Sequence, residues 1–133
     1  MALSLIIPCY NEAKGLPDLV TACAAANLGD GFEIILVDNG STDETQTILA
    51  KLIAPHPFIR RVRVAENQGY GYGILTGVRA ASGDVLAWTH ADLKTDPSDI
   101  KRAAEVYFAE GSIFVKGRRH GRPLFDVFFT IGM

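Results

Sequence analysis

The chain has 133 residues, enough for one compact domain or part of a larger one, and 48% of them are hydrophobic, which excludes a disordered tail. Its formal net charge of −2 gives no electrostatic basis for binding nucleic acid, although Lys116, Arg118, Arg119 and Arg122 gather late in a patch that suits either phosphates or solvent. The two cysteines, Cys9 and Cys23, lack Cys-x-x-Cys spacing and favour a reducing compartment over a zinc site, and neither a signal-peptide pattern nor ~18 uninterrupted apolar residues is visible.

Leu3 to Ile7 is a short apolar run that reads as a buried first strand ended by Pro8, with Pro8-Cys9-Tyr10-Asn11-Glu12 as a polar turn. Leu16, Leu19, Val20 and Cys23 recur at helical spacing, predicting a helix to about Leu28 that stops at Gly29-Asp30-Gly31. Phe32 to Val37 reads as the second strand, turning at Asp38-Asn39-Gly40. Ser41 followed three residues later by Glu44 is a capping-box pattern, opening a helix to about Leu52. Arg61 to Ala65 alternates charged and apolar residues, as a half-exposed third strand does.

Glu66 to Gly73 is a glycine-rich turn that leads into a helix from about Tyr72 to Ala81. Val85 to Trp88 reads as a short buried strand running into His90-Ala91-Asp92. In extended backbone, residues two apart face the same way, so His90 and Asp92 either share one site fit for a divalent metal or form an ordinary polar pair. Asp96-Pro97 suits the cap and first position of a helix to about Glu110, stopped by Gly111, with a further strand at Ser112 to Val115.

Strands alternate with helices throughout, so the expected class is α/β: a mostly parallel sheet with helices on both faces. Polar clusters follow three strands, at Pro8–Glu12, Asp38–Ser41 and His90–Asp92, and in a doubly wound sheet such ends converge on one edge. The glycine-rich loop adds a helix N-terminus, whose free N–H groups suit an anion. A dinucleotide Rossmann site is disfavoured, because the first turn holds no glycine and Gly69-Tyr70-Gly71-Tyr72-Gly73 has the wrong spacing.

The ordered set Ile7-Pro8-Cys9-Tyr10-Asn11-Glu12, Ile35-Leu36-Val37-Asp38-Asn39-Gly40-Ser41-Thr42-Asp43, Asn67-Gln68-Gly69-Tyr70-Gly71, Ala81-Ser82-Gly83-Asp84, His90-Ala91-Asp92-Leu93 and Asp96-Pro97 closely resembles the family-2 inverting glycosyltransferases. The nearest branch looks like the dolichyl- or polyprenyl-phosphate sugar synthases, and the resemblance reaches to about Arg119. It implies a GT-A fold, a nucleotide-diphosphate-sugar donor and Mg²⁺ or Mn²⁺. By that resemblance Pro8, Tyr10, Asn11 and Glu12 belong to the nucleotide-sugar site with Val37, Asn39, Asn67, Gly69, Ala91 and Lys94. Asp38 is expected on the base or ribose. Asp92 matches the second carboxylate of an Asp-x-Asp metal motif, with His90 as its companion, and Arg119 matches the arginine of a later Gly-Ser-Arg motif. His90, Asn39 and Lys94 depart from the family's usual Asp, Asp and Gln.

The expected function is metal-dependent, inverting transfer of a sugar to a polyprenyl phosphate or another lipid or saccharide acceptor. The alternatives are a soluble polysaccharide-extending enzyme of the same family and a noncatalytic nucleotide-sugar-binding module. Residues 1–122 read as the donor-binding part. The apolar run Pro123 to Met133 reads as the start of an interfacial helix in a truncated chain, giving peripheral contact with the inner face of the cell membrane from the cytoplasm and a tail for self-association. No catalytic base is assigned; Asp126, within the apolar run, is the one late carboxylate. These residues alone are expected to bind donor and not to transfer sugar.

Overall fold

The structure, a computed structural model, describes residues 2–111 and 114–117. One compact unit ends at Arg102, and the described residues after it belong to a second. The expected boundary at residue 122, the basic residues Arg118, Arg119 and Arg122, and the apolar run with Asp126 lie outside the described residues.

Eight elements alternate in order: β1 (Leu3–Cys9), α1 (Leu16–Ala25), β2 (Glu33–Asn39), α2 (Thr45–Ile53), β3 (Ile59–Val64), α3 (Tyr70–Ala80), β4 (Val85–Trp88) and α4 (Asp99–Glu110). All strand pairs are parallel, in the order β3-β2-β1-β4. The chain moves outward from β1 to β3 and then returns to the other side of β1, so the order reverses between β1 and β4. In open sheets of this kind the crevice for a ligand opens there, beyond the carboxyl ends of the strands.

β1 and β2 are buried on both faces, as their unbroken apolar runs require. Ile6, Ile35 and Val37 point to one face, where Val78 and Ala81 pack against them. Gly77 lets α3 lie close there, because a Cβ at that position would overlap the Ile6 side chain. Right-handed crossovers then put α1 and α2 on the opposite face, where α1 packs against α2. Both cysteines are buried and free. Burial, then the nearby negative charge of Asp96, pushes the Cys23 thiol up to about 12, which leaves it unreactive.

The structure moves several boundaries. β1 does not stop at Pro8 but continues to Cys9, paired with Asp38. The reason is that strand pairing has two sides. The Val85 N–H donates to the Ala2 carbonyl and the Thr89 N–H to the Ile6 carbonyl, so even-numbered β1 residues face β4. Pro8 therefore withholds its missing donor from the β4 side only, and the β1–β4 register ends at Ile6↔Trp88.

α1 ends at Ala25 rather than Leu28, and α3 begins at Tyr70 rather than Tyr72. α2 begins at Thr45, capped by Glu44 without a side-chain bond, so Ser41 does not form the expected capping box. β4 is only half-buried: Leu86 and Trp88 are 41% and 46% exposed. Among the described residues it pairs on one side only, with β1. Asp96 accepts bonds from the Ser98 N–H and hydroxyl, so it caps the turn before α4. The strand expected at Ser112 to Val115 falls partly outside the described residues, and Phe114 and Val115 lie in no strand.

Candidate functional site

Four loops meet at the carboxyl edge of the sheet. The turn after β1 is held open by Asn11, whose φ of 51° lies in the left-handed region that Asn tolerates. Its Oδ1 accepts the Thr42 N–H at 2.8 Å and the Asp43 N–H at 3.3 Å. Bonds run the other way as well. The N–H groups of Asn11, Glu12 and Ala13 donate to the Ser41 hydroxyl, the Thr45 hydroxyl and the Asp43 carboxylate. The turn after β1 is thus zipped to the turn after β2, and Ser41 and Thr45 are spent on this long-range contact. Tyr10, by contrast, is 46% exposed at the tip.

Asp38 is buried at the end of β2. Its Oδ1 accepts the Ser41 N–H at 3.1 Å, and its Oδ2 pairs with Arg63 at 3.4 Å, directly across the β2–β3 register. Asp38, Arg61, Val62, Arg63, Gln46 and Leu49 line a small open pocket. Gly40 turns the chain away with φ 74°, and a Cβ there would run into the Asn67 backbone. That close approach brings in the third loop. Asn67 accepts the Gly69 N–H at 2.7 Å, and Asn39 donates its amide to the Gly69 carbonyl at 3.0 Å. Pro8, Val37 and Asn39 are buried beneath these loops, Pro8 and Asn39 against α3 at Gly73 and Val37 a turn further along at Gly77.

The fourth loop leaves β4 where Pro8 ends the pairing. Thr89 and Ala91 turn inward while His90 and Asp92 are exposed. The chain turns at Ala91–Asp92 instead of staying extended, and Leu93 takes a φ of 56°. The two candidate ligands nevertheless share one neighbour. The Tyr70 ring stacks on the His90 imidazole, with centroids 4.7 Å apart and planes 9° apart. Burial first, and then the negative charge of Asp92, raises the Tyr70 phenol. Asp92 Oδ1 accepts the Lys94 N–H at 3.1 Å, and Oδ2 lies 3.9 Å from the Lys94 ammonium, an exposed and weak pair.

Among the described residues no three His, Cys, Asp or Glu side chains form a metal cage. One imidazole and one carboxylate, both exposed at a strand end, fit a cation that takes its remaining ligands from a bound anion and water, as Mg²⁺ does with phosphates. Arg119, the expected basic contact, is outside the described residues. The sequence motifs assign no role to Tyr70 or Arg63. The alternation of β3 was the available signal for Arg63; the contact between Tyr70 and His90 crosses two loops and left none.

Residues 4–130 match the family model described as Glycosyl transferase family 2. The chain is 38% identical over 112 residues to the undecaprenyl-phosphate 4-deoxy-4-formamido-L-arabinose transferase of Pectobacterium carotovorum, covering 82% of this chain and 34% of that protein. It is 39% identical over 119 residues to the enzyme of the same name from Pseudomonas paraeruginosa, covering 84% of this chain and 35% of that one. The chain therefore spans about a third of the length of the curated relatives it matches.

Among solved structures it resembles the mannosyltransferase PcManGT from Pyrobaculum calidifontis, in complex with GDP-Man and Mn²⁺, with a TM-score of 0.71 at 26% identity over 79% of this chain and 32% of that one. It also has the fold of S. aureus TarS in complex with UDP-GlcNAc, with a TM-score of 0.71 at 24% identity over 92% of this chain and 37% of that one. Both neighbours are GT-A glycosyltransferases. Among the described residues no helix is long and apolar enough to cross a membrane.

Proposed function

The chain belongs to glycosyl transferase family 2, and from that premise we propose that it forms the donor-binding part of an inverting, metal-dependent enzyme that moves a sugar from a nucleoside diphosphate to a polyprenyl phosphate. The observation that carries this reading is the meeting of the Pro8–Glu12 turn, the α3 N-terminus and the His90–Asp92 turn at the one edge where the strand order reverses. The lipid acceptor is supported by relatives such as the undecaprenyl-phosphate transferase of Pectobacterium carotovorum. The donor class and the metal are supported by the neighbour solved with GDP-Man and Mn²⁺.

In this reading the zipped turns after β1 and β2 form a rigid wall for the nucleoside. Tyr10 is the exposed face of that wall, and Asp38 is held in place by Ser41 and Arg63. The first N–H groups of α3 face the diphosphate. His90 and Asp92 hold the divalent cation, which supplies positive charge to the leaving diphosphate. Lys94 adds a mobile ammonium beside Asp92. An ionised lipid phosphate is itself the nucleophile, so the whole enzyme needs to orient the acceptor rather than deprotonate it.

The test is calorimetry of the full-length protein with GDP and UDP, each in Mn²⁺, in Mg²⁺ and in EDTA. A nucleotide is expected to bind more tightly with metal, and Asp92→Ala to abolish the difference. Equal affinity in all conditions for wild type and variant would sink the reading. Donor hydrolysis with and without polyprenyl phosphate separates the enzyme from a noncatalytic module.

A further inference from the structure

The stacked pair of Tyr70 and His90 is what joins the glycine-rich loop to the end of β4. Its placement is built from three independent constraints. Asn39 and Asn67 grip Gly69 from either side, by its carbonyl and its N–H. Gly69, with a φ of 94°, then swings the chain so that Tyr70 opens α3. At the other side of the crevice, the next ladder bond along β1 and β4 would run from residue 8 to the Thr89 carbonyl. Pro8 has no N–H to give. The Tyr70 hydroxyl lies 3.4 Å from that carbonyl and donates to it instead. One side chain thus holds both the main chain before His90 and the imidazole itself.

Resting on the reading that His90 and Asp92 hold a divalent cation, we propose that Tyr70 is a positioning residue which fixes the plane of the His90 imidazole for that cation. A metal approaches imidazole along a ring-nitrogen lone pair, which lies in the plane of the ring. A partner stacked on the face occupies neither nitrogen, so the stack restricts the ring's rotation and leaves both edges open. Coordination also draws electron density from the imidazole, and an electron-poor ring is held more strongly over the π-face of tyrosine. The stack therefore favours the metal-bound state over the free one. The ordinary support for a ligating histidine is a hydrogen bond to its second nitrogen; here a ring face takes that place. Tyr70 is 40% exposed, so its removal costs the fold little.

The experiment uses the full-length protein with Mn²⁺ and a nucleoside diphosphate. It compares wild type, Tyr70→Phe, Tyr70→Leu, His90→Ala and Asp92→Ala. Mn²⁺ affinity is read by paramagnetic titration, and direct imidazole ligation by the ¹⁴N modulation in pulsed electron paramagnetic resonance. Tyr70→Leu keeps apolar bulk without a ring face; it is expected to weaken Mn²⁺ roughly threefold to tenfold and to reduce the ¹⁴N signal. Tyr70→Phe restores the ring and is expected to recover most of both. Circular dichroism confirms that each variant is folded. Wild-type affinity and ¹⁴N modulation in Tyr70→Leu, with both lost in His90→Ala, overturn the positioning role and leave the metal reading intact. Absence of ¹⁴N modulation in wild type, together with unchanged binding in Asp92→Ala, overturns both.

Discussion

Asn39 donates its side-chain amide to the carbonyl of Gly69 at 3.0 Å, bridging the end of β2 and the start of α3. It is 3% exposed, and its Oδ1 has no hydrogen-bond partner among the described residues. The reversed amide would set oxygen against oxygen, so the donor must face Gly69. A carboxylate cannot make this bond unless protonated. Asn39→Asp is therefore expected to lower stability by about 1–3 kcal/mol at neutral pH. Urea unfolding measures this, and an unchanged midpoint would show that the amide is not needed as a donor.

Asn11 acts through both its backbone and its side chain. Asn11→Gly keeps the left-handed φ but removes the oxygen that accepts from Thr42 and Asp43, at an expected cost of about 1–2 kcal/mol. Asn11→Ala loses the same bonds and adds strain at φ 51°, about a further 1 kcal/mol. The expected order of denaturation midpoints is wild type, then Gly, then Ala. If Ala equals Gly, the backbone there is not held in the left-handed region.

At the opposite edge of the sheet, Glu33 accepts from Ser4 and Ser82 and pairs with Arg60 at 2.6 Å, while Arg60 also donates to the Ala80 carbonyl. Burial raises the carboxyl, but the bonds from Arg60, Ser4 and Ser82 outweigh it and bring the pKa from 4.5 down to about 2. A carboxylate depressed on folding stabilises the protein fully above its unfolded pKa. That contribution is lost as pH falls from about 4.5 through about 2. Arg60 is 41% exposed, so screening limits the pair, and Glu33→Gln is expected to cost about 1 kcal/mol at pH 7. Melting curves of the two proteins should converge near pH 2; parallel curves down to that pH would remove Glu33 as the cause.

His90 and Lys94 bear on metal choice under the proposed function. Imidazole is a softer ligand than carboxylate and favours Mn²⁺ over Mg²⁺. His90→Asp is expected to raise Mg²⁺ affinity relative to Mn²⁺ by roughly tenfold. Lys94→Gln frees Asp92 of its 3.9 Å ammonium neighbour and is expected to tighten either metal in the absence of nucleotide, and to do so less at high salt. Both are read as ratios of dissociation constants. An unchanged ratio in His90→Asp makes His90 a bystander.

The alternation of strands and helices, the buried β1 and β2, and the polar ends of three strands were legible in sequence because each rests on local periodicity and composition. The motif order pointed to the family because it samples those same ends, and the match over residues 4–130 bears it out. What local pattern left open was every choice between two partners. Pro8 looked like a stop, but a proline removes its donor from one side of a strand only, and which side depends on where β4 pairs. Ser41 had the spacing of a helix cap, yet the Asn11 N–H, thirty residues earlier, took its hydroxyl. β4 had the apolar content of a core strand, but its burial depends on the strands that flank it. Tyr70 and His90 met because α3 and the end of β4 lie across one crevice, and a distance between side chains on separate loops exists only once the sheet has brought those loops together.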